Sequence, residues 1–158
     1  MPDVTIETID QMYIATQYPV ASVNDLLAIN RLLTELTSKP RIINSLLRIV
    51  AQRNFGLVVA RDLEKNRFQD QTIVGMGTIH WIELPTKVNA YIDDVVVSST
   101  YRGQKIGERI TKELIKIAKS AGAQCIDLTS NPKREAANKL YQKLGFVKKE
   151  TNVYRLNL

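Results

Sequence analysis

Apolar positions along the chain change period several times, and each change marks the edge of an element. Residues 3 to 8 alternate weakly around Val4 and Ile6, as a short strand would. Ser22 can cap a helix that carries Val23, Leu26, Leu27, Ile29, Leu33 and Leu36 at helical spacing, and Pro40 suits the first turn of a second helix with Ile42, Ile43, Leu46, Leu47 and Val50 on one side. From Gly56 the period shortens. Leu57 to Ala60 and Thr72 to Leu84 read as an antiparallel hairpin around the polar turn Glu64 to Asp70. Asn89 to Ser98 predicts a strand ending in Val95, Val96 and Val97. The next helix sets Ile106, Ile110, Leu114, Ile117 and Ala118 on one face and stops at Gly122. Gln124 to Leu128 is a strand, and Asn131-Pro132 opens a helix with Ala136, Ala137, Leu140, Tyr141 and Leu144 inward and Gly145 at its end. Strands near Phe146 to Lys149 and Asn152 to Leu156 close the chain.

This order predicts an α+β fold with a mostly antiparallel central sheet, and the strand-helix-strand segment 89–128 implies one parallel or splayed pair. A chain of 158 residues can bury about 70% of its unfolded surface in one core, and nothing in it reads as a linker or repeat. Residues 1–158 are therefore expected to form a single domain.

Lys and Arg outnumber Asp and Glu by 22 to 16, which favours an anionic partner without choosing one. Cys125 is the only cysteine and His80 the only histidine, so an intrachain disulfide and the common Cys/His zinc clusters are excluded. No metal is expected, and a lone thiol suits the cytoplasm. No apolar run approaches the roughly 20 residues of a membrane helix, and Met1 to Glu7 lacks the pattern of a secretory leader.

The segment Val95 to Gly107 holds the most chemistry. An apolar strand passes through a short polar connection into a helix start with Gly103, Gly107 and no acidic residue, flanked by Arg102 and Lys105. Free N–H groups at a helix start, with the dipole, suit phosphate oxygens, and glycine lets a ligand approach the backbone. Tight-turn packing alone would account for the glycines about as well. A Walker A loop does not occur, and Gly75-Met76-Gly77 lacks the third glycine of a dinucleotide fingerprint, because His80 stands there.

Arg102 to Gly107 resembles the [QR]-x-x-G-x-[GA] pyrophosphate loop of the GCN5-related N-acetyltransferase (GNAT) superfamily, with Lys105 where family members usually carry glycine. Leu140-Tyr141-Gln142-Lys143-Leu144-Gly145-Phe146 is similar to the family's L-Y-x-x-x-G-F pattern, one strand later and in the right order. Asp93-Asp94-Val95-Val96-Val97 is also similar to the glucosamine-6-phosphate branch.

The resemblance implies a GNAT-like sheet flanked by about four helices, acetyl-CoA as cosubstrate and an amine acceptor. Backbone groups of Val95, Val96 and Val97 would hold the pantetheine arm, and N–H groups of Arg102, Gly103, Gln104, Lys105, Ile106 and Gly107 the pyrophosphate. Asn138 would hydrogen-bond the cofactor, and Tyr141 would protonate the departing thiolate, although its place on an apolar face is also that of a packing tyrosine. Deprotonating an ammonium needs a carboxylate or an ordered water near the strand leading into Val95; Asp93 and Asp94, with Glu83 a third option, are the candidates, and as strand neighbours at most one of the pair looks into the site.

His80, Trp81, Tyr154 and Cys125 read as packed or surface residues. The segment Glu35 to Pro40 would cover the acceptor, and a homodimer is expected because similar proteins are frequently dimers. A non-catalytic acyl-CoA-binding module is the alternative, against which Tyr141 and the Asp pair weigh. A nucleic-acid partner, suggested by Lys112, Lys116, Lys119, Lys133, Arg134, Lys139 and Lys143, is disfavoured because these residues fall opposite the apolar stripes without RNA-binding aromatics.

Overall fold

The computed structural model describes residues 2–9, 23–37, 39, 42–64 and 73–158. Strands β1 (Val4–Ile9), β2 (Phe55–Asp62), β3 (Ile73–Leu84), β4 (Lys87–Val97) and β5 (Cys125–Leu128) form one sheet in the order β1-β2-β3-β4-β5. Neighbours are antiparallel except for β4 and β5, the one parallel pair. The described helices are α1 (Val23–Leu36), α2 (Leu46–Val50), α3 (Ile106–Ser120) and α4 (Glu135–Lys143), with a 3-10 turn at Ser99–Tyr101.

The sheet is covered on both faces, which explains why β2 reads as a continuous apolar run. Val58 and Ala60 pack toward α3 with Ile79, Ala90, Ile92, Ile110 and Leu114, whereas Leu57 and Val59 pack toward α1 and α2 with Ile29, Leu32, Leu46 and Val50. Arg61 ties α1 to the sheet through Asp25 at 2.8 Å and Glu7 at 3.1 Å. Ion pairs this far from water hold only with such geometry, so α1 has a fixed position over the strands.

The site is shaped by a bulge in β4. Thr78 pairs with Asp93 and Met76 with Val96, so Gly77 alone faces both Asp94 and Val95. Asp94 takes the left-handed conformation, φ 51°, that the extra residue demands. Side-chain parity flips there: Ala90 and Ile92 precede the bulge on the α3 face, and Val95 and Val97 follow it on the same face. A Cβ on Gly77 would meet Ile110 and Leu114 at 2.9 Å, so only glycine lets α3 lie this close to the bulge.

Several boundaries differ from the sequence reading. Ser22, Pro40, Thr72 and the turn residues 65–70 lie outside the described residues. The second helix starts at Leu46 behind Ser45, whose Oγ accepts from the Arg48 N–H at 3.4 Å, so Ile42 and Leu47 are exposed rather than inward. Leu27 also faces outward; the buried face of α1 is Asp25, Ala28, Ile29 and Leu32. The helix expected at Asn131 starts at Glu135, because Asn131 first makes a turn in which its Oδ1 accepts from the Lys133 N–H, and Ala136 is exposed.

The closing strands at Phe146 to Lys149 and Asn152 to Leu156 do not form. Residues 146–158 carry no ladder, and Val147, Val153, Tyr154 and Leu156 are at least three-quarters exposed. Alternation alone does not make a strand. The tail is tied instead by a side chain, Lys149 Nζ donating to Asp127 at 2.8 Å.

Candidate active site

Beyond Ile92, which pairs with Leu128, β5 no longer accompanies β4, and the strands diverge. The carbonyls of Val95 and Val97 face this opening. Arg134 Nη2 donates to Val95 O at 3.0 Å and Arg102 Nε to Val97 O at 3.2 Å. Val96, between them, is paired with Met76 and buries its side chain toward α1. Of the three valines expected to meet an extended ligand, the outer two present free-edge backbone and the middle one does not.

From Val97 the chain turns through Ser98 and the 3-10 turn into α3. Two elements pin this connection. Glu35, inside α1 rather than in the segment after it, accepts from Ser99 N–H at 2.8 Å and Ser98 Oγ at 3.2 Å and pairs with Arg102 at 3.5 Å. Tyr101 donates its hydroxyl to Asp62 at the end of β2, 2.5 Å away. The Arg102 guanidinium is thus turned to Glu35 and Val97, away from the free cationic role expected of it.

Gly103, φ 80°, and Lys105, φ 59°, both adopt the left-handed region, and α3 starts immediately afterwards. Lysine therefore holds, under strain, a conformation that glycine adopts freely. The first N–H groups of α3 have no carbonyl one turn earlier. Glu108 lies in this first turn, contrary to the acid-free start expected, but Lys112 and Lys143 bind it at 2.8 and 2.7 Å and pull its carboxyl down to about 2. The local field remains favourable to an anion.

Whether the residues fit acetyl-CoA is tested at Gly107 and Ser130. A Cβ on Gly107 would only touch Leu140 at 3.6 Å and Val97 at 3.7 Å, so protein packing does not demand glycine there. Among the described residues the Ser130 hydroxyl is buried without a hydrogen-bond partner. It lines a cleft of about 770 Å³ shared with Tyr91, Leu128, Asn138 and Tyr141. A cleft with an unused hydroxyl, next to the free edge of β4, suits the amide-bearing arm of the cofactor.

Tyr141 is buried, set edge-to-face on Phe146 with ring centroids 5.9 Å apart. Burial pushes its hydroxyl above the ordinary phenol value, with the charge of Arg134 drawing it partway back. The hydroxyl is thereby held in its neutral form. Asn138 Nδ2 donates to Asn131 O at 3.1 Å and Pro132 O at 3.4 Å, so it also braces the turn before α4.

Asp93 and Asp94 part company at the bulge. Asp93 lies on the α1 face, 3.5 Å from His80 Nδ1, while desolvation and then the charge of Asp93 push the Asp94 carboxyl upward from its ordinary value. Glu83 is at the far end of β3, exposed. Cys125 is not packed among apolar groups: its thiol donates to Asn89 Oδ1 at 2.5 Å and accepts from Lys87 Nζ at 3.4 Å, because the outward face of a sheet edge is polar. Sequence reasoning also missed the roles of Glu35, Arg134 and Ser130: the side-chain partners of the first two are 39 to 67 residues away, and among the described residues the Ser130 hydroxyl has none. Only the unaligned charge of Arg134 was visible, and it was grouped with solvated lysines. Lys112, Lys116 and Lys143 are in ion pairs with Glu108 and Glu113, which weakens the basic surface further.

A splayed parallel pair, a bulged strand and a helix start facing the gap define an acyl-CoA-type transferase fold, and comparison with known proteins agrees. The model of the Acetyltransferase (GNAT) family matches residues 30–146, and the chain belongs to that family, whose members draw their acetyl group from acetyl-CoA. A probable glucosamine 6-phosphate N-acetyltransferase 2 from Oryza sativa subsp. japonica is 39% identical over 59 residues, 37% of this chain and 34% of that one. N-alpha-acetyltransferase 30 from Schizosaccharomyces pombe is 36% identical over 73 residues, 46% of this chain and 49% of that one. The matches thus span a third to a half of these curated relatives. A Trypanosoma brucei acetyltransferase superposes with a TM-score of 0.73 at 24% identity, covering 99% of this chain and 100% of its own, which establishes the fold. No described helix is long and apolar enough to cross a membrane.

Proposed function

We propose that this chain is a single-domain, acetyl-CoA-dependent N-acetyltransferase that moves the acetyl group directly to a primary amine of a small molecule, amino acid or peptide. The observation that carries the reading is the buried, neutral Tyr141 hydroxyl lining the same cleft as the unused Ser130 hydroxyl, beside the gap onto which Val95 and Val97 open their carbonyls. Acetyl transfer needs a free amine, a stabilised oxyanion and a proton for the leaving thiolate. Tyr141 supplies the last, and the N–H groups of Val95 and Val97 on the free edge of β4 would donate to the acetyl carbonyl. The N–H groups of the 102–107 turn hold the pyrophosphate, and Asn138 a cofactor amide.

Asp93 and Asp94, which part at the bulge, are the carboxylates nearest the acceptor side and support removal of the acceptor proton there, directly or through a neighbouring group. The acceptors named in the two relatives, an amino sugar phosphate and an α-amine, share only the primary amine, which supports the class and leaves the rest of the acceptor to be found by screening. The lone cysteine supports a cytoplasmic site of action, and sedimentation tests the homodimer that the resemblance implies.

Calorimetric titration with acetyl-CoA, with dephospho-CoA and ATP as controls, followed by thiol-release assays over an amine panel, tests the reading. Binding with turnover is expected. Binding with no transfer to any amine leaves the acyl-CoA-binding module, and no binding refutes both.

A further inference from the structure

The one histidine reads from the sequence as a packed or surface residue, yet it lies in an organised cluster. His80 and Tyr91 are cross-strand partners in the β3–β4 register, and their rings stack with centroids 5.2 Å apart and planes 13° from parallel. Asp93 is two residues along β4 on the same face, its Oδ2 3.5 Å from His80 Nδ1. The cluster stands at the point where the sheet opens: Ile92, between Tyr91 and Asp93, is the last β4 residue paired with β5. Tyr91 lines the cleft that holds Tyr141, and His80 lines a second cleft of about 760 Å³ with Phe55 and Trp81. The stacked pair therefore has one ring on each.

Resting on the acetyltransferase reading, we propose that His80 is the base that takes the proton from the acceptor ammonium, with Asp93 and Tyr91 as its positioning residues. Three points favour it over either carboxylate acting alone. A carboxylate at Nδ1 selects the tautomer that leaves the Nε2 lone pair available. Imidazoles as a class titrate closer to neutrality than carboxylates, which brings proton acceptance nearer the basicity that general-base catalysis uses. His80 is about two-fifths exposed, so an acceptor or one bridging water can reach it.

The proton balance closes with residues already described. One proton passes from R–NH3+ to His80 Nε2, and the freed lone pair forms the C–N bond to the acetyl carbonyl carbon. As the C–S bond breaks, Tyr141 gives its proton to the sulfur and recovers one from the new C–N nitrogen through water. His80 then releases its proton to solvent, so each turnover converts R–NH3+ and acetyl-CoA into the amide, the free thiol and one H+.

The test uses wild-type protein, His80→Ala, His80→Gln and Asp93→Asn with an amine identified in the panel. His80→Ala and His80→Gln should lower kcat by about 10²-fold or more, leave acetyl-CoA affinity within about twofold, and unfold with the wild-type protein. Added imidazole should restore part of the His80→Ala rate and none of the His80→Gln rate. Asp93→Asn should give a smaller loss of kcat. Wild-type turnover with His80→Ala equally active, or an inactive His80→Ala indifferent to imidazole, overturns the assignment while leaving the acetyltransferase reading intact. A wild-type protein that binds acetyl-CoA and acetylates nothing overturns that reading and this inference with it.

Discussion

Gly107 separates the demands of folding from those of binding, and Gly107→Ala tests the cofactor site most directly. The residue is the second of α3, its φ is outside the left-handed region, and a Cβ would meet Leu140 and Val97 at ordinary van der Waals distances of 3.6 and 3.7 Å. Alanine there should gain helix propensity without a clash, about 0.5–1 kcal/mol of stability. For a chain of 158 residues that is a rise of about 1–4 °C in unfolding midpoint. If the proposed cofactor site is right, the same methyl group narrows the approach of pyrophosphate to the first N–H groups of α3. Losing one charge-assisted hydrogen bond of about 1.5–3 kcal/mol weakens acetyl-CoA binding by about ten- to over a hundredfold. Thermal unfolding and calorimetry on one preparation give both numbers. A variant that binds acetyl-CoA as tightly as wild type would refute the placement, and one that loses stability would refute the reading that a Cβ fits there without a clash.

Three further substitutions probe neighbouring claims. Lys105→Gly should relieve the left-handed strain and raise the unfolding midpoint, whereas Lys105→Ala should not; both should weaken acetyl-CoA binding by about two- to fivefold through the lost charge, and equal stability of the two variants would count against the strain. Tyr141→Phe should lower kcat by about 10²-fold or more with acetyl-CoA affinity within about twofold, and unchanged steady-state kcat removes the proton-donor role. Asp94→Asn bears on stability against pH. Because the folded-state value of Asp94 is raised, the fold holds this proton more tightly than the unfolded chain does, so the ionised carboxylate opposes folding at neutral pH and the opposition fades as pH falls through the raised value. The asparagine variant, which also tolerates positive φ, should therefore unfold at a higher temperature near pH 7 and converge with wild type in acid; a lower midpoint at pH 7 would contradict this.

Element order, the hairpin, the amphipathic stripe of α3 and the glycine stops at Gly122 and Gly145 were legible because each depends on neighbours within a few positions. Both glycines have positive φ, as helix ends of this kind require. The two motifs were legible for the same reason, being runs of six and seven residues. The closing strands were not, since alternation of Val147 and Val153 with charges says nothing about whether β5 offers an edge long enough to pair. Exposure of Leu27 and Leu47 was equally invisible: a helical stripe wider than the contact it meets leaves its outer leucines in water.

The division within the site follows the same physics and explains why one half of it was read and the other was not. The cofactor half is built from a contiguous strand-turn-helix, so its chemistry is written in consecutive residues, and even its departures, Lys105 for glycine and Glu108 in the first turn, are visible in the same short run. The acceptor half is assembled across the sheet. His80 reaches Tyr91 and Asp93 only through the β3–β4 register, and the bulge at Asp94 decides which face each aspartate takes. Moving that bulge by one residue would exchange the faces of Asp93 and Asp94 and break the histidine cluster without altering any local pattern. A strand alternation rule applied straight through β4 therefore assigns the two carboxylates wrongly or not at all, and the histidine opposite them looks solitary. The strained backbone at Asp94 is the feature that joins the two halves, since it turns Val95 toward the gap on one side and leaves Asp93 beside His80 on the other.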